Sequence, residues 1–339
     1  MISQAKMRFG LIGAGAIAQT YAQAFAQSQT AELVGVADAR VEAAEALAER
    51  MKCPSFASHR ELFDATDCQA VVVCTPPSTH PEICTWLLEQ EVNVLCEKPL
   101  AIDLERAREM LAAAERSSAL LTMASKFRYV DAVVQAKSII ASGLIGDIVL
   151  FENAFTSRVD MANRWNADPL TSGGGVLIDN GTHSVDIMRY FLGPLVEIQA
   201  IEGRRVQDIP VEDTVRIFVR SASGVMGSID LSWSLNKELP YYLSIYGSNG
   251  TLHVGWKEAK YRRTGDQEWN SFAGGYDKLQ AFGAQIDNFV RAVRREEPPL
   301  ISLVDALASV EAIDAAYDAM WRAAWVNVPS ELSQSVTMS

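Results

Sequence analysis

The chain has 339 residues, of which 49% are hydrophobic and 21% charged, with a formal net charge of −12. This is a globular composition, long enough for about two domains and a sizeable core. The acidic balance argues against nucleic acid or an anionic membrane as main partner, since both recruit clustered Lys and Arg, and no window reaches the ~18 apolar residues of a membrane span.

The start "MISQAKMRFGLIGAG" runs into a strand-like segment without a secretory apolar region or cleavage site, which points to the cytoplasm. Five cysteines, Cys53, Cys68, Cys74, Cys84 and Cys96, show no CxxC spacing and read as small hydrophobes in a reducing compartment.

From residue 7 to about 125, the runs "MRFGLI", "AELVGVA", "AVVVCT", "VNVLCE" and "ALLTMAS" alternate with helix candidates over 15–28, 40–51, 79–90 and 103–117. Continuous apolar runs are strands covered on both faces, so this half is expected to be a doubly wound parallel sheet, a Rossmann domain over 1–125. Asp103 is placed to cap the last helix.

Beyond residue 126, a helix candidate at 130–142 leads into strands with period-2 alternation. Val215, Ile217 and Val219 point one way; Thr214, Arg216, Phe218 and Arg220 point the other. A second α/β domain over 126–339, built on a large, mostly antiparallel sheet, is expected, with one sheet face free for a homodimer or homotetramer. Helices near 277–296 and 302–324 close the chain around "EEPPL", and packing of the C-terminal helix back on the first domain stays open. The tail "SELSQSVTMS" is polar and expected to be poorly ordered.

Four segments carry chemistry. Gly13, Gly15 and Ala18 form G-x-G-x-x-A between a strand and a helix, with Ala16 and Ile17 opening the helix. Such a turn gives a pyrophosphate close approach to the helix N-terminus. Asp38 follows twenty residues after Ala18, where a carboxylate accepts from adenosine ribose hydroxyls and favours NAD, while Arg40 keeps NADP possible. Asp38 could also cap the helix beginning near Val41.

"VVVCTPPSTHPEI" and "VNVLCEKPLAIDLE" place Thr75, Pro76 and His80, then Glu97, Lys98 and Pro99, at carboxyl ends of strands, where open parallel sheets bind ligands. Pro99 makes a cis peptide affordable.

The fourth segment, "GGGVLIDNGTHSVD", spaces Asp179, His183 and Asp186 at i, i+4 and i+7 on one helix face. Gly173 to Gly175 are expected to let that helix start close against the nucleotide domain. Asp and His supply only two metal ligands where zinc needs at least three, and the other histidines are His59, His80 and His253, so no metal is expected. His253, within "TLHVGW", reads as structural.

Together, "GAGAIA", "CTPPSTH", "CEKPL" and "GGGVLIDNGTHSVD" resemble, in order and spacing, the Gfo/Idh/MocA family of NAD(P)-dependent oxidoreductases, over essentially the whole chain. The resemblance implies that Lys98, Asp179 and His183 form the active site, and that Lys126, Arg128, Arg164, Trp165 and Asn166 lie in neighbourhoods lining a sugar or polyol pocket. It implies oxidation of a secondary alcohol, His183 being the base, Asp179 the group that positions the hydroxyl and Lys98 the donor to its oxygen. Two other readings stay open: an NAD-dependent glycosidase of the same fold, and a non-catalytic cofactor- or sugar-sensing regulator. Asp186 is left unassigned.

Overall fold

The computed structural model describes residues 5–329. The polar tail from residue 330 lies outside the described residues. The chain divides into two compact units, residues up to Tyr129 with Asp277–Leu307, and Val130–Tyr276 with the residues from Ala308 on.

The first unit runs β1 (Met7–Ile12), α1 (Ala16–Gln27), β2 (Ala31–Ala37), α2 (Val41–Met51), β3 (Ser55–Phe56), α3 (His59–Ala65), β4 (Ala70–Val73), α4 (His80–Glu89), β5 (Asn93–Glu97), α5 (Leu104–Arg116) and β6 (Leu121–Ala124). Its six strands are all parallel, in the order β3-β2-β1-β4-β5-β6. Strand order reverses between β1 and β4, so their carboxyl ends flank the crevice where doubly wound sheets take ligands. Asp103 caps α5 as expected, its side chain accepting from the Arg106 N–H at 2.9 Å.

Two elements carry no apolar run and were not expected: β3, two residues long, and α3. The signal for α3 is local, because Ser58 accepts from the Glu61 N–H while the Glu61 carboxylate accepts from the Ala57 N–H. That is a near relative of a capping box.

Residues 277–307, grouped with the second half in the sequence reading, fold with the first unit. The reason is α9 (Lys278–Val293), whose Phe282, Ile286, Phe289 and Val290 enter the core formed by Phe9, Tyr21 and Phe25. Phe289 lies 5.9 Å from Phe9 and Phe282 4.7 Å from Tyr21, between ring centroids. Each fully buried Phe contributes about 1.5–3 kcal/mol, enough to fix the helix there.

The second unit contains α6 (Asp131–Ala141), β7 (Ile148–Thr156), α7 (Pro169–Ser172), α8 (Val176–Leu192), β8 (Leu195–Glu202), β9 (Thr214–Ser221), β10 (Met226–Ser232), β11 (Tyr241–Gly247), β12 (Gly250–Gly255), β13 (Glu258–Arg263), β14 (Asn270–Gly274) and β15 (Val326–Asn327); α10 (Leu303–Arg322) begins in the first unit and ends in the second. The nine-stranded sheet runs β14-β13-β12-β11-β7-β10-β9-β8-β15. Every pair is antiparallel except β7 with β10. Helix α8 packs on β7, β9 and β10, where Val215, Ile217 and Val219 are buried as their alternation predicts. On the opposite face, Ile201 and Met226 are exposed.

Candidate functional site

In the first unit, β1 delivers the chain into the glycine turn. Gly13 has φ 93°, and a Cβ there would meet the Cys74 carbonyl carbon at 2.8 Å and the Thr75 nitrogen at 2.9 Å. Only glycine satisfies both the left-handed backbone and the close approach of the chain leaving β4. Gly15 is the N-cap of α1, gives it no side-chain hydrogen bond, and would place a Cβ in open space with no neighbour within 4 Å. Ala16 and Ile17 therefore begin a helix whose first N–H groups meet no acidic side chain of the first turn. That donor set and the space above Gly15 fit a dinucleotide pyrophosphate.

Asp38 follows β2 and lies against this turn. Its Oδ2 accepts from the Ala14 N–H at 2.7 Å, and its Oδ1 accepts from the Arg40 N–H at 2.8 Å. The Arg40 guanidinium adds contacts of 3.2 and 3.1 Å. Burial pushes the Asp38 carboxyl upward, but the Arg40 side chain and the two N–H groups outweigh it and hold the group below the ordinary range. The capping alternative is not what forms: Arg40 is the N-cap of α2, with no side-chain cap bond, and Asp38 instead ties the glycine turn to the helix entry.

The loop after β4 is held by the Thr79 hydroxyl, which donates to Thr75 Oγ1 and the Pro76 carbonyl, both at 2.7 Å. His80 is fully buried, with Nε2 2.9 Å from the Thr75 carbonyl and Nδ1 3.0 Å from that of Pro99, so it joins the two loops. Burial lowers its pKa against those carbonyl contacts.

Glu97 is likewise buried. Its Oε1 accepts from the Tyr21 hydroxyl at 2.9 Å, its Oε2 accepts from the Lys98 N–H at 3.1 Å, and Gln285 donates to the Tyr21 oxygen at 2.8 Å. Burial raises the Glu97 carboxyl more than the positive charges of Lys126 and Lys98 draw it down. Glu97 thus grips the base of Lys98 and shares a field with Lys126. Lys98 itself is half-buried at the end of β5, and the Lys98–Pro99 peptide is cis.

Arg128, expected in the substrate pocket, is 3% exposed; it donates to the Leu300 carbonyl at 3.3 Å and pairs with Asp305 at 3.5 Å. Its guanidinium pins residues 300–305 to the first unit.

In the second unit, α8 carries the acid and base. Asp179 is half-buried, His183 is 6% exposed and Asp186 is fully buried, so the face that holds all three descends from the surface into the unit. The His183 ring stands edge-on to Phe155, 6.5 Å between centroids, and Phe155 stacks on Tyr242. One side of the imidazole is therefore an apolar wall.

The glycines before α8 have a local reason within the second unit. Gly173 has φ 82°, a Cβ on Gly174 would meet Tyr317 Oη at 1.9 Å, and a Cβ on Gly175 would meet the Glu212 carbonyl oxygen at 2.1 Å. Glu212, which no motif had marked, fills the start of this helix: its Oε1 accepts from the N–H groups of Gly175 and Leu177, each at 3.0 Å, and its carbonyl from that of Val176 at 2.9 Å. The Tyr317 hydroxyl donates to the same Oε1 at 2.8 Å.

Just upstream, Arg164 and Trp165 are exposed and Asn166 is half-buried, on the turn leading into α7. His253 pairs with Ser244 Oγ at 2.9 Å and stacks on Tyr241 at 4.5 Å; burial, helped by Lys260, lowers it to about 4. Among the described residues, no three His, Cys, Asp or Glu side chains gather to hold a metal ion, and no helix is long and apolar enough to cross a membrane. All five cysteines are free thiols.

Residues 7–125 match the model of an oxidoreductase family with an NAD-binding Rossmann fold, and residues 133–253 match the Gfo/Idh/MocA C-terminal domain. The chain belongs to the Gfo/Idh/MocA family. Among its relatives, inositol 2-dehydrogenase of Rhizobium meliloti (strain 1021) is 28% identical over 91% of this chain and 96% of that one. Glucose-6-phosphate 3-dehydrogenase of Bacillus subtilis (strain 168) is 29% identical over 66% of this chain and 64% of that one. A solved structure of levoglucosan dehydrogenase in complex with NADH and levoglucosan shares the fold, with a TM-score of 0.89 at 23% identity, covering 96% of this chain and 100% of the other. This Gfo/Idh/MocA chain is thus an NAD(P)-dependent oxidoreductase by family.

Proposed function

We propose that the chain oxidises a secondary alcohol on a sugar, inositol or related polyol. The observation that carries this reading is an acid and a base one helical turn apart on α8, half-buried Asp179 and nearly buried His183, in a chain whose glycine turn fits a dinucleotide. Relatives named as inositol and sugar dehydrogenases support the substrate class.

Gly13, Gly15, Ala16 and Ile17 would hold NAD, which would supply the hydride acceptor. Asp179 accepts a hydrogen bond from a neighbouring hydroxyl of the polyol, which fixes the substrate's direction, and its charge favours the imidazolium that forms on His183. His183 takes the hydroxyl proton as general base. Lys98, gripped at its backbone by Glu97, donates to the substrate oxygen and stabilises the negative charge that develops there. Thr75 and Pro76 shape the cofactor side, while Lys126, Arg164, Trp165 and Asn166 offer donors and an aromatic surface to a polyol.

Asp38 favours NAD, since its carboxylate repels a 2′-phosphate; the exposed Arg40 guanidinium beside it leaves NADP use available. The outer face of the nine-stranded sheet, with Ile201 and Met226 exposed, serves as a homodimer or homotetramer surface. A reducing cytoplasm suits the five free thiols.

The test is a panel of inositols, sugars and sugar acids incubated with NAD and, in parallel, NADP, scored for reduced cofactor. At least one polyol gives sustained reduction, faster with NAD. Glycosidic cleavage without net reduction would replace this reading by the glycosidase. Ligand-dependent heat protection with no reduction by any panel member would replace it by the regulator.

A further inference from the structure

Helix α8 carries Asp179 and His183, yet its own sequence provides no cap: the N-cap is Gly175, without a side chain. A helix start leaves its first N–H groups without intrahelical partners, and an uncapped start frays or shifts. Here Glu212, two residues before β9 in sequence, does what a local Ser or Asp does for α3, α5 and α9. Its side chain takes the N–H groups of Gly175 and Leu177, and its carbonyl takes that of Val176. Both Glu212 and Gly175 are buried, so these N–H groups take their acceptor from the protein and not from bulk water.

The fit is one of shape as well as hydrogen bonding. The Glu212 backbone approaches so closely that residue 175 has no room for a Cβ, and the Tyr317 hydroxyl approaches so closely that residue 174 has none either. Tyr317 lies on α10 and donates to the oxygen that accepts from Gly175 and Leu177, which fixes that oxygen from the third side. The first turn of α8 is thereby clamped between the approach to β9 and α10. Asp179 closes that first turn, its N–H donating to the Gly175 carbonyl at 3.1 Å, and His183 follows one turn later.

We propose that Glu212, locked by Tyr317, is the positioning residue that sets the axial place and rotation of α8, and with them the geometry of Asp179 and His183. This rests on the dehydrogenase reading for the roles of Asp179 and His183, while the clamp stands on contacts within the second unit alone. All three donors converge on one carboxylate oxygen, so an amide carbonyl in the same place preserves the cap. Glu212→Gln therefore works where Glu212→Ala does not.

The experiment compares Glu212→Ala, Glu212→Gln and Tyr317→Phe with the parent chain. Turnover uses the best polyol of the panel and is divided by the number of NADH-binding sites found by titration, which removes any loss of folded protein. A displacement of about 1 Å in a catalytic group costs on the order of 100-fold, so Glu212→Ala is expected to lose about that much turnover per site, Tyr317→Phe less, and Glu212→Gln to stay within about threefold of the parent. The second readout needs no substrate: with four histidines in the chain, the His183 ring resonances are assigned by their loss in His183→Asn. They shift in Glu212→Ala and return toward the parent position in Glu212→Gln.

Unchanged turnover per site together with unmoved His183 resonances in Glu212→Ala overturns the proposal, as does a Glu212→Gln variant as impaired as the alanine. If no polyol turns over, the dehydrogenase reading fails, and the ring resonances still decide whether Glu212 places His183. Should Glu212→Ala not fold, Tyr317→Phe and Glu212→Gln carry the same two readouts: a shift in the first larger than in the second supports the clamp, and no shift in either overturns it.

Discussion

Two helices in this protein start after a glycine cluster, and the clusters do opposite work. Before α1, Gly15 faces open space and the helix start has no side-chain cap, which leaves room and donors for an anionic ligand. Before α8, Gly174 and Gly175 are filled by Tyr317 and Glu212, and the helix start is taken up within the protein. Glycine in the first place keeps a surface empty, and in the second it admits protein where a methyl group would not fit.

The largest expected effect of this contrast is on stability. Gly175→Ala drives a Cβ into the Glu212 backbone, which cannot rotate aside, and costs about 3 kcal/mol or prevents folding. Gly15→Ala stays within about 0.5 kcal/mol of the parent. Urea unfolding of the two variants measures the difference, and equal losses would erase the distinction. The reciprocal effect falls on the ligand: Gly15→Ala weakens NAD binding about tenfold or more, because its methyl group occupies the space a pyrophosphate needs.

Cofactor choice is a finer test of the α1 side. Asp38→Ala removes the charge that repels a 2′-phosphate and leaves Arg40, so the ratio of kcat/KM for NAD to that for NADP falls by about tenfold, ~1.4 kcal/mol. Part of the change is a weaker NAD site, since the Ala14 N–H loses its acceptor. A ratio unmoved by the substitution would remove Asp38 from cofactor selection.

The smallest effects separate the two helix starts by pH. The Asp38 carboxyl is held below its ordinary value, so the stability it adds is present above the unfolded pKa of ~3.9 and is lost as pH falls through the lower folded value. Glu212 is raised, burial outweighing the hydrogen bonds it accepts, so its contribution is complete below ~4.3 and declines as pH rises through the folded value. Acid therefore lowers the stability of the parent relative to Asp38→Asn and raises it relative to Glu212→Gln. Each change is about 1 kcal/mol or less, the Asp38 pair being partly screened by solvent, and denaturant titrations from neutral to acid pH give both signs. Parallel trends in the two variants would contradict the contrast.

Where the signal is local in the chain, the sequence was legible. Continuous apolar runs marked five strands of the parallel sheet, alternation marked β9, and Asp103 marked the start of α5. The four motifs marked both halves of the family signature. What stayed hidden depends on partners far away in sequence. Glu212 lies 37 positions after Gly175, in a segment with no glycine or helix signal, and its task follows only from the meeting of β9, α8 and α10. His80, Glu97 and Arg128 have partners that no local motif displays: main-chain carbonyls, a backbone N–H or another side chain. The return of α9 to the first unit depends on Phe282 and Phe289 meeting Phe9 and Tyr21, which no window of sequence displays.

The most direct test of the account is turnover by Lys98→Ala on the best polyol of the panel, with NADH affinity measured on the same preparation. The account predicts a loss of at least about 100-fold in kcat, the usual cost of removing a charged donor from a developing oxyanion, with NADH binding retained. A loss of less than about tenfold with normal NADH binding would contradict it.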